Sequence, residues 1–282
     1  MTVALVFAGQ GVDPPWIDPA LLATPAAPPL LAAASAATGV DVGSLLARGG
    51  RALAQVEVLQ PALVAACLIA HAAVAPHLPP PAATAGHSLG ELTAWAATGA
   101  IAGADAISAA AVRGRLMARE AARHPGGMAA LTGPVDVAEV LATAAPHGRL
   151  TIAAHNAPGE TVVSGDVAAL TAVLARYPGR RLPVAGAWHS PAMGGAVDEL
   201  HAALAVIPRQ AAVAPLVANR TGAVVEDGAA VPRLLAEQLI QPVAWATTLA
   251  TLAARGVTRY VAVGPGRLLR ALIRANLGDV RV

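Results

Sequence analysis

A glycine-framed serine between an apolar strand and a helix constrains this chain more than any other feature. The segment Gly86-His87-Ser88-Leu89-Gly90 follows a short apolar stretch, 82–85, and opens a predicted helix that runs to about Ala97. The glycines permit a sharp turn that exposes the serine oxygen above a sheet, with the Leu89 amide at a helix N-terminus. The order strand, turn, helix predicts an α/β fold with a nucleophilic serine. The simpler alternative is a helix-start turn in which Ser88 is an ordinary cap residue.

The pattern of strands and helices changes in the middle of the chain. Residues 126–189 carry the order β-α-β-β-α-β, with strands predicted at 128–132, 150–154, 161–164 and 180–185 and helices at 135–144 and 167–177. This order is typical of a ferredoxin-like unit. The flanking segments are predicted to form a larger α/β domain. Its helices are predicted at 61–75, 103–123, 194–206 and 229–240 and its strands at 3–8, 213–217 and 258–263. We therefore predict an α/β-hydrolase-like large domain, 1–125 plus 190–282, interrupted by a ferredoxin-like domain, 126–189.

Charge and cysteine content exclude several classes of function. The 282 residues include 19 basic ones, all of them arginine, so no lysine can form a Schiff base or act as a general base. No basic run is interleaved with aromatic residues, which argues against nucleic-acid binding. The single cysteine, Cys67, rules out an intramolecular disulfide and a C-x-x-C motif, and its apolar surroundings predict a buried, inert thiol. We expect no metal site.

The high mean hydropathy, +0.58, raises the question of a membrane. A spanning helix needs about 18 consecutive apolar residues. The best stretch, 61–76, is interrupted by His71 and followed by a proline cluster, and the first residues lack a basic region. We predict a cytoplasmic monomer that does not associate with a membrane.

A serine nucleophile needs a base, and eight histidines are available. His189 is the best candidate because it follows a predicted strand at the domain junction, where clefts form. His87 adjoins the serine on a tight turn and is expected to line the site, and His155 is a loop neighbour of Asn156. We expect ordinary structural or surface roles for the rest, which are His71, His77, His124, His147 and His201. No aspartate completes a triad, because the available ones lie at helix starts, where capping explains them: Asp105, Asp136 and Asp166.

Taken together, the motifs resemble the malonyl-CoA:acyl carrier protein transacylase family, which includes the acyltransferases of fatty-acid and polyketide synthesis. The resemblance covers nearly the whole chain. The matching segments, in order, are FAGQG at 7–11, LQPAL at 59–63, GHSLGE at 86–91, VRGRLM at 112–117, NAPG at 156–159, GAWHSP at 186–191, QLIQPV at 238–243 and VGPG at 263–266.

The resemblance implies a Ser–His dyad working on thioesters. Ser88 would attack an acyl-CoA, with His189 as general base, and the acyl group would then pass to the pantetheine thiol of an acyl carrier protein. Gln238 matches the position whose main-chain carbonyl orients the imidazole, which explains the missing aspartate. The amides of Gln10 and Leu89 would form the oxyanion hole. No cofactor is implied beyond the coenzyme A thioester, which is a substrate.

The family resemblance also implies a substrate site. Arg113 matches the arginine that binds the free carboxylate of a malonyl group, a role suited to a guanidinium. The remaining implied substrate-site residues are Gln60, His87, Trp188 and Asn156. Two departures stand out: Val12-Asp13 replaces the usual Ser-Gln after Gly-Gln-Gly, and Trp188 precedes the histidine where Phe or Ser is usual. The large ring should narrow the acyl pocket and disfavour methylmalonyl groups.

Other functions remain open at this stage. The same scaffold could serve an acyl thioester hydrolase or a transferase of a non-malonyl group between carrier proteins. A catalytically silent module that binds carrier proteins would not require Ser88, His189, Gln10 and Arg113 together. Carrier proteins are acidic, so an arginine patch on the inserted domain is the expected docking surface, with solvated surface charge as the equal alternative. Its candidates are Arg176, Arg180 and Arg181.

Overall fold

A parallel three-stranded sheet forms the centre of the large unit in this computed structural model, which describes residues 2–11 and 17–282. Its strands are β1 (Val3–Phe7), β2 (Ala83–Gly86) and β7 (Arg259–Val263), in the order β2-β1-β7. All five residues of β1 are buried, as expected for an apolar central strand covered on both faces. The substitution of Val12-Asp13 for the usual Ser-Gln lies outside the described residues.

Helices surround this sheet. They are α1 (Pro19–Leu22), α2 (Ala27–Thr38), α3 (Val42–Arg48), α4 (Val56–Val74), α5 (Leu89–Ala97), α6 (Gly103–Arg123), α9 (Val197–Ala205), α10 (Val231–Glu237), α11 (Trp245–Ala254) and α12 (Leu268–Leu277). Helices α4 and α6 pack closely, because a Cβ on Gly114 would lie 2.7 Å from the Val56 carbonyl oxygen. Small side chains let these alanine-rich helices approach this closely.

Helix α4 is the core helix of the fold. It begins at Val56, five residues before the predicted start, and Pro61 lies inside it. Burial of Val56, Val58 and Leu59 accounts for the extra turn, which forms despite the hydrogen bond that a proline cannot make. Its length and hydropathy would suffice to cross a membrane, but most of it is buried inside the protein. Cys67 is fully buried here, and burial raises the pKa of its thiol to about 12.

The inserted unit contains an antiparallel sheet covered by two helices. The sheet has the order β4-β5-β3-β6, formed by β3 (Gly127–Thr132), β4 (Leu150–Ala157), β5 (Glu160–Gly165) and β6 (Gly179–Arg181). Its helices are α7 (Val137–Ala144) and α8 (Val167–Arg176). Alternate residues of β3 face opposite sides: Ala129 and Leu131 pack in a small core beneath the helices, and Met128 and Ala130 join the main core. The predicted α/β class with a ferredoxin-like insertion is confirmed, and the boundaries at 126 and 189 stay a prediction.

Several predicted elements are shorter than expected. Strand β6 ends at Arg181 rather than at residue 185, because Pro183 has no N–H to continue the ladder. The predicted strand 213–217 is reduced to isolated bridges, one of them between Thr84 and Leu216. The predicted helix 229–240 consists of α10 between two 3-10 turns, the second of which, Gln238–Ile240, lies beside the serine turn.

Candidate active site

Ser88 lies on a strained turn between β2 and α5. Its backbone has φ 52° and ψ −111°, a conformation that costs about 1–3 kcal/mol for a residue with a side chain. Gly86 and Gly90 make the turn possible, because a Cβ on Gly86 would overlap the Gly90 carbonyl and one on Gly90 would overlap that of Phe7. The turn is therefore locally strained, and it places the Ser88 hydroxyl at the end of the sheet.

His189 meets this hydroxyl from the segment that follows the inserted sheet. Its Nε2 lies 2.8 Å from Ser88 Oγ, and its Nδ1 lies 2.8 Å from the main-chain oxygen of Gln238. A carbonyl oxygen can only accept, so Nδ1 carries the proton and Nε2 is free to accept the serine proton. Burial, aided by the charge of Arg113, lowers the pKa of His189 to about 3 and keeps the imidazole neutral.

The two candidate catalytic residues share a backbone property. Among the residues that the structure describes, Ser88 (φ 52°) and His189 (φ 56°) are the only non-glycine residues with positive φ. Such conformations persist only where the surrounding structure fixes them, and they concentrate at functional sites. Both strained residues lie in one site, 2.8 Å apart.

The N-terminus of α5 and the residues that follow β1 both lie close to the nucleophile. Leu89 is the first residue of α5, so its N–H has no carbonyl partner within the helix. Gln10 follows β1 and lines the cavity that contains Ser88 and His189. These are the two segments whose amides the family resemblance predicts as the oxyanion hole, and that role stays a prediction.

Arg113 projects from α6 toward the nucleophile. Its side chain is buried, with one Nη2 3.4 Å from Ser88 Oγ and 3.0 Å from the side-chain oxygen of Gln238. Burial lowers the pKa of Arg113 to about 10, which leaves the guanidinium protonated at neutral pH. A buried cation with unused donors beside a nucleophile is suited to bind an anionic group on a substrate.

Comparison with known proteins identifies the family. The family model described as acyl transferase domain matches residues 6–280. The chain belongs to this acyl transferase family. The malonyl CoA-acyl carrier protein transacylase of Mycobacterium tuberculosis is 36% identical over 99% of this chain and 94% of that protein.

Two solved structures are similar in fold to this acyltransferase. The acyl-carrier-protein S-malonyltransferase of Burkholderia pseudomallei superimposes with a TM-score of 0.90 at 32% identity, covering 100% of this chain and 95% of the other. A malonyl-transacylase in complex with its type II polyketide acyl-carrier protein gives a TM-score of 0.91 at 27% identity, covering 100% and 94%.

A cavity of about 390 Å³ opens in front of Ser88 in the acyltransferase. It lies between the two units and is lined by both, with Leu59 and Met117 on one side and Val162, Leu182 and Trp188 on the other. Most of its wall is apolar, and Arg113 and the Ser88–His189 pair are among the polar groups that can orient a bound acyl chain.

The other residues predicted for the substrate site differ in whether they line the cavity. His87 lines the cavity; its Nε2 donates to Asn156 Oδ1 at 2.8 Å, and the Asn156 amide donates to Glu160, so His87 is not the serine's base. Trp188 also lines the cavity. Gln60 is fully buried and donates to the Met117 sulfur, so the structure does not place it in the cavity wall.

Sequence reasoning missed two buried polar residues beside the serine. Asn219 accepts a hydrogen bond from the Ser88 N–H at 2.6 Å and donates to the Gly86 carbonyl at 2.5 Å. Glu91 accepts from the side-chain amide of Gln238 and from the Asn219 N–H. Glu91 had a signal, a carboxylate one turn after the nucleophile in an otherwise apolar helix, whereas Asn219 had none. Among residues 2–11 and 17–282, no cluster of three His, Cys, Asp or Glu side chains is placed to hold a metal ion.

Proposed function

We propose that this acyltransferase moves a malonyl group from coenzyme A to the pantetheine thiol of an acyl carrier protein through a malonyl-Ser88 ester. The observation that carries the proposal is Arg113, a buried guanidinium with Nη2 3.4 Å from the serine oxygen in a mostly apolar cavity. That position suits a carboxylate borne on the acyl group, a few ångströms beyond the carbonyl that Ser88 attacks. The relatives named malonyl transacylases support the same substrate.

The first half-reaction forms the acyl-enzyme. His189 Nε2 takes the Ser88 proton as the serine oxygen attacks the thioester carbonyl, and the amides of Gln10 and Leu89 stabilise the resulting oxyanion. Collapse of the tetrahedral intermediate breaks the carbon–sulfur bond. The proton held by His189 passes to the leaving thiolate, which departs as coenzyme A. The Gln238 carbonyl, 2.8 Å from Nδ1, stabilises the imidazolium that forms in between.

The second half-reaction repeats these steps with another thiol. His189 takes the proton of the carrier's pantetheine thiol, the thiolate attacks the Ser88 ester, and the serine recovers its proton when the ester bond breaks. No cofactor is needed beyond the thioester substrate. An apolar cavity wall limits the access of water to the ester, which favours transfer over hydrolysis.

The carrier would dock where the cavity opens. Of the three arginines considered from the sequence, Arg180 lines the cavity, and among the described residues no carboxylate lies within ion-pair distance of it. Arg181 is occupied by the Val167 carbonyl and the Thr171 hydroxyl, and Arg176 lies near Glu139 and over the Tyr177 ring. Arg180 is therefore the best placed of the three to meet an acidic carrier. We further propose that the enzyme acts as a monomer in the cytoplasm, without nucleic-acid or membrane partners.

Discharge of the acyl-enzyme separates transfer from hydrolysis. The enzyme is loaded with radiolabelled malonyl-CoA, freed of excess substrate and divided between buffer alone and buffer with a phosphopantetheinylated carrier protein. We expect the label to stay on the enzyme in buffer and to move to the carrier when one is added. Rapid loss of label as free malonate in buffer would instead identify a thioesterase.

A further inference from the structure

Glu91 is a buried carboxylate next to the nucleophile that the proposed steps do not use. It is the third residue of α5 and is 1% exposed. Within the described part of the chain, no arginine or histidine nitrogen lies within ion-pair distance of it. Burial raises the pKa of Glu91 to about 7, against the opposing effects of Asn219, Gln238 and the charge of Arg113. A charged group is costly to bury, so its retention here calls for a role.

The contacts of Glu91 lead to the substrate cation through one side chain. The Gln238 amide nitrogen donates to Glu91 Oε2 and, at 3.1 Å, to the main-chain oxygen of Ser88. The Gln238 amide oxygen accepts from Arg113 Nη2 at 3.0 Å. Glu91 and Arg113 thus lie at opposite ends of the same amide group.

This arrangement fixes which way the amide points. Both oxygens of Glu91 accept hydrogen bonds here and a guanidinium can only donate, so an amide between the two groups has one favourable orientation. With the amide reversed, its NH₂ would face the Arg113 guanidinium and its oxygen would face Glu91, and both contacts would be lost. Glu91, together with the Ser88 main-chain oxygen that accepts from the same NH₂, therefore holds the oxygen of Gln238 toward Arg113. That oxygen in turn holds the guanidinium beside Ser88.

We propose that Glu91 is a positioning residue that acts through the Gln238 amide on Arg113 and so sets the preference for acyl groups that carry a carboxylate. The inference rests on the proposed function, because it concerns the malonyl group that Arg113 would bind. Glu91 has no part in the proton transfers, which use the main-chain oxygen of Gln238 and not its side chain. Its effect should therefore be larger on malonyl transfer than on the transfer of a neutral acyl group.

Asn219 provides the contrast within the same cluster. Its side chain joins the Ser88 N–H to the Gly86 carbonyl and so holds the nucleophile turn itself. This turn serves every acyl group alike. Loss of the Asn219 side chain should slow malonyl and acetyl transfer by similar factors and leave their ratio unchanged.

The substitution Glu91→Gln tests the proposal with almost no change in shape. A glutamine has one acceptor oxygen where Glu91 uses two, so its NH₂ must face either the Asn219 N–H or the Gln238 NH₂. Facing Gln238, it favours the reversed amide and releases Arg113. We expect the rate of Ser88 acylation by malonyl-CoA to fall about 10- to 100-fold, the scale of one hydrogen bond to a charged group. Acylation by acetyl-CoA should change less than about threefold, because a neutral acyl group makes no such bond.

Three comparisons make the result decisive. In an Arg113→Ala background, Glu91→Gln should cause no further loss of malonyl transfer, since the two residues act in one chain. Gln238→Met, which removes the amide but keeps the main-chain carbonyl, should lower the malonyl-to-acetyl ratio in the same direction, whatever it does to the two separate rates, and replaces Glu91→Gln if that variant does not fold. Asn219→Ala should lower both rates together. An unchanged malonyl-to-acetyl ratio in the folded Glu91 or Gln238 variant, or a full effect without Arg113, would overturn the inference.

The wild-type rates separate this inference from the function on which it rests. If malonyl-CoA does not acylate the wild-type enzyme, the proposed function fails. If it does, and the Glu91→Gln ratio equals that of the wild type, only the role of Glu91 is wrong.

Discussion

Replacing Arg113 with alanine should convert a carboxylate-selective site into one for neutral acyl groups. The guanidinium is buried, it lines the cavity, and its Nη2 lies 3.4 Å from Ser88 Oγ. A bidentate bond to a carboxylate comprises two charge-assisted hydrogen bonds of about 1.5–3 kcal/mol each. Their loss, about 3–6 kcal/mol, corresponds to roughly 10²- to 10⁴-fold in kcat/KM for malonyl-CoA.

The assay compares kcat/KM for malonyl-CoA and acetyl-CoA in the wild type, Arg113→Ala and Arg115→Ala. Arg115 is the matched control because it lies two residues away on α6 with its side chain exposed. We expect acetyl transfer by Arg113→Ala to be retained or increased. In the wild type, a bound acetyl group would leave the Arg113 guanidinium buried without an anionic partner, and the substitution removes that cost. Malonyl kinetics that are the same in the wild type and Arg113→Ala would refute the assignment of the carboxylate site.

Three further predictions test separate parts of the site. Gly90→Ala should abolish Ser88 acylation, because the new Cβ would overlap the Phe7 carbonyl. The control Gly228→Ala, where a Cβ would meet open space, should leave acylation intact. Acyl-enzyme formation measures the activity of both variants, and circular dichroism measures their folding. Trp188→Ser should raise the share of methylmalonyl product when methylmalonyl-CoA and malonyl-CoA compete, as read by the mass of the acyl-enzyme. The pKa of His189 is lowered to about 3 in the folded protein, so as pH falls the unfolded chain takes up this proton before the folded one does. Between pH 7.5 and 5, the free energy of unfolding of the wild type should therefore fall by about 2 kcal/mol more than that of His189→Gln, as measured by urea titration. An equal pH dependence in the two proteins would contradict this.

The local part of the site could be predicted from the sequence because short-range chemistry determines it. The glycines around Ser88 leave few backbone choices, and the apolar strand before them fixes where the turn lies. The inserted unit was equally predictable, since the strand-like run of β3 and the helical period of α8 are properties of single segments. The resemblance to a family then linked Ser88 to His189 and to the Gln238 carbonyl, which lie far apart in the chain.

Contacts between segments that are far apart in the chain could not be predicted from local sequence patterns. Asn219 stands in an irregular stretch with no periodic pattern, yet the fold brings it to the Ser88 N–H. Glu91 could be read as a surface residue at a helix start until the packing of α5 showed it buried. Gln60 was assigned to the substrate site, but its amide meets Met117 behind the cavity wall. In each case the deciding quantity is the direction of a side chain within the assembled core.

Intact-protein mass spectrometry of the wild type and Ser88→Ala with a panel of acyl-CoA thioesters tests the central claim most directly. The account predicts that the wild type gains the mass of one malonyl group, in preference to acetyl and methylmalonyl groups, and that peptide mapping places it on Ser88. Addition of a phosphopantetheinylated carrier protein should then restore the original mass of the enzyme and add the malonyl group to the carrier. Malonylation of Ser88→Ala to the same extent, or a wild type that takes no malonyl group, would contradict the account.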